Sequence, residues 1–140
     1  MISGDLTKKG SMTDTNTATS PQGLLHLGED NFQKTIEEST KPVMVDFYAD
    51  WCGPCKMAAP VLEKLSTEMK EQITIAKVNT DEAGSLAQQF GVMSIPTVII
   101  FDKKDGKVVE VDRKIGFPGE EGYRQMITKV VGDAPTAQAA

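Results

Sequence analysis

The order of apolar and amphipathic segments predicts an α/β sandwich, βαβαβαββα, with one antiparallel hairpin on an otherwise parallel sheet. Three observations carry this. Residues 43–49 form a mostly apolar run of strand length, typical of a buried sheet centre. Residues 97–101 and 107–111 are apolar-rich runs flanking Lys104-Asp105-Gly106, a hairpin signal. Tyr123, Met126, Ile127 and Val130 recur at helical spacing before Gly132.

The elements follow in order. Leu24, Leu25 and Leu27 mark a short first strand. Asp30 is placed to cap a helix whose inner face is Phe32 and Ile36, with Gln33 in a capping-box-like position. Pro42 closes that helical region and the strand over 43–49 follows. A helix then begins at Cys52, with Met57, Ala58, Val61, Leu62, Leu65 and Met69 on its inner side and Lys56, Glu63, Lys64 and Thr67 outside. Pro60 lies within it, removes one backbone bond and predicts a kink. Residues 73–78 make the third strand. Ala83, Leu86, Ala87 and Phe90 make a short helix ending at Gly91, a natural left-handed cap.

A chain of 140 residues suits one domain, with enough apolar content for a core. The domain is expected over 23–132, after a leader over 1–22 rich in Ser, Thr, Gly and Asp. That leader has the pattern of neither a signal peptide nor a transit peptide. Gly10-Ser11-Met12 could be a cloning junction, so part of it could derive from a tag. Residues 133–140 hold too few large apolar side chains to pack and are expected to be disordered. A net charge of −5 argues against a nucleic-acid surface. No apolar run approaches the roughly 20 residues of a membrane span.

The chemistry concentrates in Trp51-Cys52-Gly53-Pro54-Cys55-Lys56, which holds both cysteines of the chain. A pair this close is no structural disulfide framework, so secretion is not implied. A strand delivers the pair to a helix start, where backbone N–H groups stabilise an anion and so favour the thiolate. Two intervening residues let a small disulfide ring form and reopen by thiolate attack. Cys52, first and at the helix end, is the expected nucleophile; Cys55, one turn in, is the more buried, resolving thiol. Inert thiols or a zinc site are the alternatives, but two thiols and His26 fall short of four ligands, so zinc would need a second chain. Asp46 interrupts the apolar strand and points away from Val45 and Phe47 if the strand alternates. Desolvation would raise its pKa and suit it to proton transfer near Cys55; a solvated carboxylate at a frayed edge is the alternative.

These residues resemble the thioredoxin family. The resemblance covers about residues 24–131. It is carried by Val45-Asp46-Phe47-Tyr48-Ala49-Asp50-Trp51-Cys52-Gly53-Pro54-Cys55-Lys56-Met57, by Ala76-Lys77-Val78-Asn79-Thr80-Asp81, and by Gly91-Val92-Met93-Ser94-Ile95-Pro96-Thr97. It implies a three-layer α/β/α sandwich with a five-stranded mixed sheet and helices on both faces. It also implies disulfide reduction through Cys52 and Cys55, with Gly53 and Pro54 between them setting a reducing potential and no bound cofactor or metal. Asp46 would be the buried acid, Lys77 its partner, and Ile95–Pro96 a cis peptide beside the sulfurs. Trp51, Ile95, Pro96, Gly116 and Phe117 would form the substrate-docking rim.

The expected partners are disulfide-containing proteins and an NADPH-linked flavoprotein, thioredoxin reductase, with no nucleic acid or membrane. The expected state is a cytoplasmic monomer. An oxidase or isomerase on the same fold, or a binding subunit using the apolar rim, are the alternatives. His26 is read as a surface or strand-end residue. Met93 and Ser94 depart from the family's usual small or basic residues, which leaves partner choice open. The stretch from Pro96 to Gly116 is longer than in the best-known bacterial members of the family, which is read as an extended hairpin tip over 102–107 with no assigned function.

Overall fold

The structure, a computed structural model, describes residues 24–132; the expected leader over 1–22 and tail over 133–140 lie outside the described residues. The elements run β1 (Leu25–Leu27), α1 (Phe32–Glu38), β2 (Val43–Tyr48), α2 (Gly53–Glu68), β3 (Thr74–Asn79), α3 (Gly84–Gln89), β4 (Thr97–Lys104), β5 (Lys107–Ile115) and α4 (Glu120–Val131). They form one five-stranded sheet in the order β1-β3-β2-β4-β5. The first three neighbours are parallel, and β4 and β5 are antiparallel additions. The predicted element order and the α/β sandwich are both present.

Strand alternation divides the core in two. On one face Met44, Ile75, Val98 and Ile100 pack with Ala58, Leu62 and Leu65 of α2 and Tyr123, Met126 and Ile127 of α4. On the other, Val43, Val45, Phe47, Val78, Ile99 and Phe101 pack with Phe32 and Ile36 of α1 and Leu86 of α3. β2 is central and buried on both sides, which explains its nearly unbroken apolar sequence.

Several local expectations need correction. The N-cap of α1 is Asn31, not Asp30. Its side chain accepts from the Gly28 amide at 2.8 Å and so closes the preceding turn, while Gln33 donates to Glu37 instead of forming a capping box. Met57, expected in the core, is 62 % exposed; Ser66 is buried in its stead, its hydroxyl donating to the Glu63 carbonyl at 2.7 Å. A serine can enter a helix–sheet interface when its own helix supplies the acceptor. Pro60 lies inside α2, as expected, in a helix that continues past it to Glu68.

The hairpin strands extend three and four residues beyond the predicted ends, to Lys104 and Ile115. Asp105 and Gly106 both have positive φ, 57° and 81°, which matches the twist a two-residue turn needs. A bulge between Ile100 and Phe101 inserts Val111 into the pairing. Arg113 fastens β5 to the end of α3, donating to the Phe90 carbonyl at 2.6 Å and to Glu110 at 2.7 Å. Gly122 lies inside α4 because the Pro118 ring occupies the place of a Cβ, 2.5 Å away; this contact seats the first turn of α4, and with it Tyr123.

Candidate active site

Cys52 is the N-cap of α2 and Cys55 lies in its first turn, with Pro54 at the position where a missing N–H costs nothing. The two are joined as a disulfide, their Cα atoms 5.2 Å apart. Cys52 Sγ accepts a hydrogen bond from the Cys55 amide at 3.2 Å. An orphan donor at a helix start is thus aimed at the first sulfur, where it would stabilise a thiolate once the pair is reduced.

The expectation that Cys52 is clearly more exposed than Cys55 is not met, since the two are 4 % and 3 % exposed. Both cysteines of the closed ring pack with Ala49, and Tyr48 and Ile95 lie against that cluster. What distinguishes Cys52 in this state is its neighbours: besides the amide, its sulfur lies 3.7 Å from the Ile95 carbonyl oxygen. The Ile95–Pro96 peptide is cis, and the Thr97 hydroxyl holds the turn by donating to the Ser94 carbonyl at 2.6 Å. Gly116, at φ +87°, donates its N–H to the Pro96 carbonyl at 2.8 Å, so the loop before α4 is tied to this turn.

The rim residues behave differently from one another. Trp51 is 70 % exposed, and its indole N–H donates to Asp81 at 3.0 Å, which fixes the ring's outer edge. Ile95 is half-buried between the cysteine cluster and the α1/α3 core. Phe117 turns inward and packs on Tyr123, ring centroids 5.8 Å apart. Met57 and Met93 are exposed apolar side chains flanking the same two segments, Met93 at 95 %. The sequence offered a signal for Met93 in its departure from the family pattern, and none for Met57, whose apolar character puts it with the inner face of α2.

Asp46 is 1 % exposed on the α2/α4 face, and neither carboxylate oxygen has a hydrogen-bond partner. Burial pushes its pKa up to about 7, against a smaller downward pull from Lys77. Lys77 lies beside it in register on β3. Its ammonium is not hydrogen-bonded to Asp46; it sits over the Tyr48 ring, 4.2 Å from the centroid. The expected Asp46–Lys77 pair is therefore a through-space one, with Lys77 held by a cation–π contact. A cleft of about 200 Å³ lined by Tyr48, Ala49, Cys55, Lys56, Ala59 and Lys77 opens beside the second sulfur. His26 is exposed on the edge strand β1, in register with Lys77. Tyr123 was legible only as an apolar core position, yet its hydroxyl is buried without a partner.

The family model described as Thioredoxin matches residues 23–129. The chain is 44% identical over 105 residues to the thioredoxin of Alicyclobacillus acidocaldarius, covering 75% of this chain and 95% of that protein. It is 46% identical over 95 residues to the thioredoxin of Bacillus subtilis, covering 68% and 88%. Among solved structures, the Trichomonas vaginalis thioredoxin superposes with a TM-score of 0.71 at 28% identity, covering 78% of this chain and 98% of that one. A mutant thioredoxin from Halobacterium salinarum NRC-1 superposes at 0.69 and 30% identity, covering 84% and 99%.

Proposed function

The chain belongs to the thioredoxin family, and on that premise we propose a general protein-disulfide reductase recharged by a thioredoxin reductase. The family's chemistry is thiol–disulfide exchange, and the redox equivalents reside in the Cys52–Cys55 pair. The observation that carries the reading is the Cys55 amide donating to Cys52 Sγ at the start of α2. It makes Cys52 the sulfur best supported as an anion.

The cycle begins from the reduced dithiol. Cys52 thiolate attacks one sulfur of a substrate disulfide, forming a mixed disulfide and expelling the other sulfur as a thiolate. Cys55 then gives its proton to the Asp46 carboxylate and attacks Cys52 Sγ. The Cys52–Cys55 bond forms, the mixed disulfide breaks, and the second substrate thiol leaves. The substrate gains two electrons, and its two thiolates become thiols by taking one proton back from Asp46 and one from water. An NADPH-linked flavoprotein returns the electrons to Cys52–Cys55.

Asp46 suits the proton step because a carboxyl with a pKa of about 7 can both take and release a proton near neutrality. Lys77 tempers that value by its charge. Gly53 and Pro54 let the helix start at the first sulfur and set the potential at the reducing end. Trp51, Ile95, Pro96 and Gly116 form the docking rim, Phe117 backs it from the side of Tyr123, and the Ile95 backbone is available to an extended substrate segment. The protein acts as a cytoplasmic monomer on disulfide-bearing proteins; no helix among the described residues is long and apolar enough to cross a membrane.

Cys55→Ser tests the mechanism. Without the resolving thiol, substrates should accumulate on Cys52 as adducts released by dithiothreitol; recovering none, with an active wild type, counts against the two-step exchange. A redox titration against glutathione buffers separates the reductase from an oxidase or isomerase, which would show a much more positive potential.

A further inference from the structure

Tyr123 has a hydroxyl that packing alone does not require. It stands in the first turn of α4 and enters the cluster containing Met44 and Val98. Those two residues also flank Asp46 on the same sheet face: Met44 lies two residues earlier on β2, and Val98 is its register partner on β4. The loop leading into α4 is tied to Pro96 through Gly116, so this turn belongs to the thiol end of the molecule. Tyr123 is 0 % exposed and Asp46 1 %. Among the described residues, the Tyr123 hydroxyl and the two Asp46 oxygens are the buried side-chain polar atoms without a hydrogen-bond partner. Phenylalanine or leucine would fill the same apolar space with no polar atom to bury.

We propose that Tyr123 is a positioning residue for the proton acceptor, its O–H donating a hydrogen bond to the Asp46 carboxylate, directly or through one water, when that carboxylate forms. The inference rests on the reading of Asp46 as proton acceptor. A carboxylate accepts only, and a protonated phenol is the donor it lacks. The phenol stays protonated through the working range, because burial first and the Asp46 charge second push its pKa up. The bond exists for the anionic form and so opposes the burial that drives Asp46 toward neutrality.

The other groups around Asp46 do not duplicate this donor. From β3, Lys77 is occupied over the Tyr48 ring, and Tyr48 on β2 is part of that contact. From α2, Cys55 is the thiol to be deprotonated. His26 on β1 and Lys114 on β5 are exposed and lie at least one strand further away. Among these groups, Tyr123 is the buried neutral donor on this face.

The test follows the Asp46 carboxyl by carbon NMR through a pH titration of the oxidised full chain, in wild type, Tyr123→Phe and Tyr123→Leu. Loss of the hydroxyl should raise the Asp46 pKa by about half a unit or more in both variants, leaving roughly threefold less carboxylate below neutrality. The rising limb of the insulin-reduction pH profile should move up by the same amount in Tyr123→Phe. An unchanged or lowered Asp46 pKa in Tyr123→Phe overturns the inference. So does a shift confined to Tyr123→Leu, which would report packing. Asp46→Asn separates the two readings: if it keeps the wild-type pH profile, Asp46 is not the proton acceptor. The carboxyl titration would still decide whether the Tyr123 bond exists.

Discussion

The two faces of the sheet are built from the same strands but to different ends. Toward α1 and α3 the core is apolar and aromatic: Phe32, Phe90 and Phe101 meet with ring centroids 5.1 to 5.8 Å apart, and Phe47 approaches Phe90 at 6.3 Å. The buried Thr97 on that side spends its hydroxyl on the Ser94 carbonyl. Toward α2 and α4, the packing admits Asp46 and the Tyr123 hydroxyl without partners. An unpaired buried polar group costs about 1–3 kcal/mol, so this face gives up stability that the other does not. The sacrifice lies at the thiol end of the sheet. Both faces are packed cores, but one satisfies the polar group it buries, while the other holds a carboxyl whose pKa burial pushes up to about 7.

The largest expected effect comes from breaking the quiet face. Phe101→Ala removes a ring that is 3 % exposed and in edge contact with Phe32 and Phe90. It should cost about 3–5 kcal/mol in denaturant unfolding. The rate of disulfide reduction per folded molecule should not change, because Phe101 faces away from Asp46 and pairs with Glu110 well along the hairpin. A large loss of rate in the folded fraction would mean that the two faces are coupled through β4.

The next effect has the opposite sign. Asp46 is raised from 3.8 to about 7 on folding, so the native state binds more protons than the unfolded state between those values. Its contribution to stability is fully present below about pH 4, is lost as the pH rises toward 7, and is flat above. That difference corresponds to roughly 4 kcal/mol at alkaline pH, on an order-of-magnitude basis. Asp46→Ala returns it, less about 1 kcal/mol for the cavity. The variant should therefore unfold at higher denaturant than wild type at pH 8 and lose that advantage near pH 4, while reducing insulin more slowly. A less stable variant at pH 8 with an unchanged rate would make Asp46 an ordinary solvated carboxylate.

The contrast between the faces was only half legible in the sequence. Val43, Val45 and Phe47 against Asp46 already placed the acid on its own side by strand alternation, and the cysteine pair announced the helix that covers it. Tyr123 was legible as core but not as a polar group, because helical spacing reports which face a residue takes and says nothing of where its hydroxyl ends. Met57 failed for a related reason. Apolar character put it with the inner stripe, but the stripe that α2 buries runs through Cys55, Ala58, Leu62 and Leu65, and Met57 stands about 100° round the helix from Ala58, on the flank. Register puts Asp46 and Lys77 side by side as the pairing expected, but nothing in the sequence signals that the ammonium would sit over the Tyr48 ring and act on the carboxyl only through space. The cap of α1 slipped by one residue for want of any signal separating Asp30 from Asn31.

The smallest effect tests whether the hairpin tip belongs to either face. Gly106 has φ +81° at the turn between β4 and β5, and a Cβ there would meet nothing within 4 Å. Gly106→Ala should therefore cost only the left-handed backbone conformation, about 1 kcal/mol, with no steric addition. Lys104 and Lys107, which flank the turn, are exposed, and the tip reaches neither the Phe90 cluster nor Asp46. The loss should appear as a small drop in the unfolding midpoint, with an unchanged slope and an unchanged pH profile of reduction. A drop of several kcal/mol would show that the extended hairpin props the quiet face through Val108 and Phe101. A shifted pH profile with little loss of stability would instead tie the tip to the titrating face, along β4 to Val98 beside Asp46.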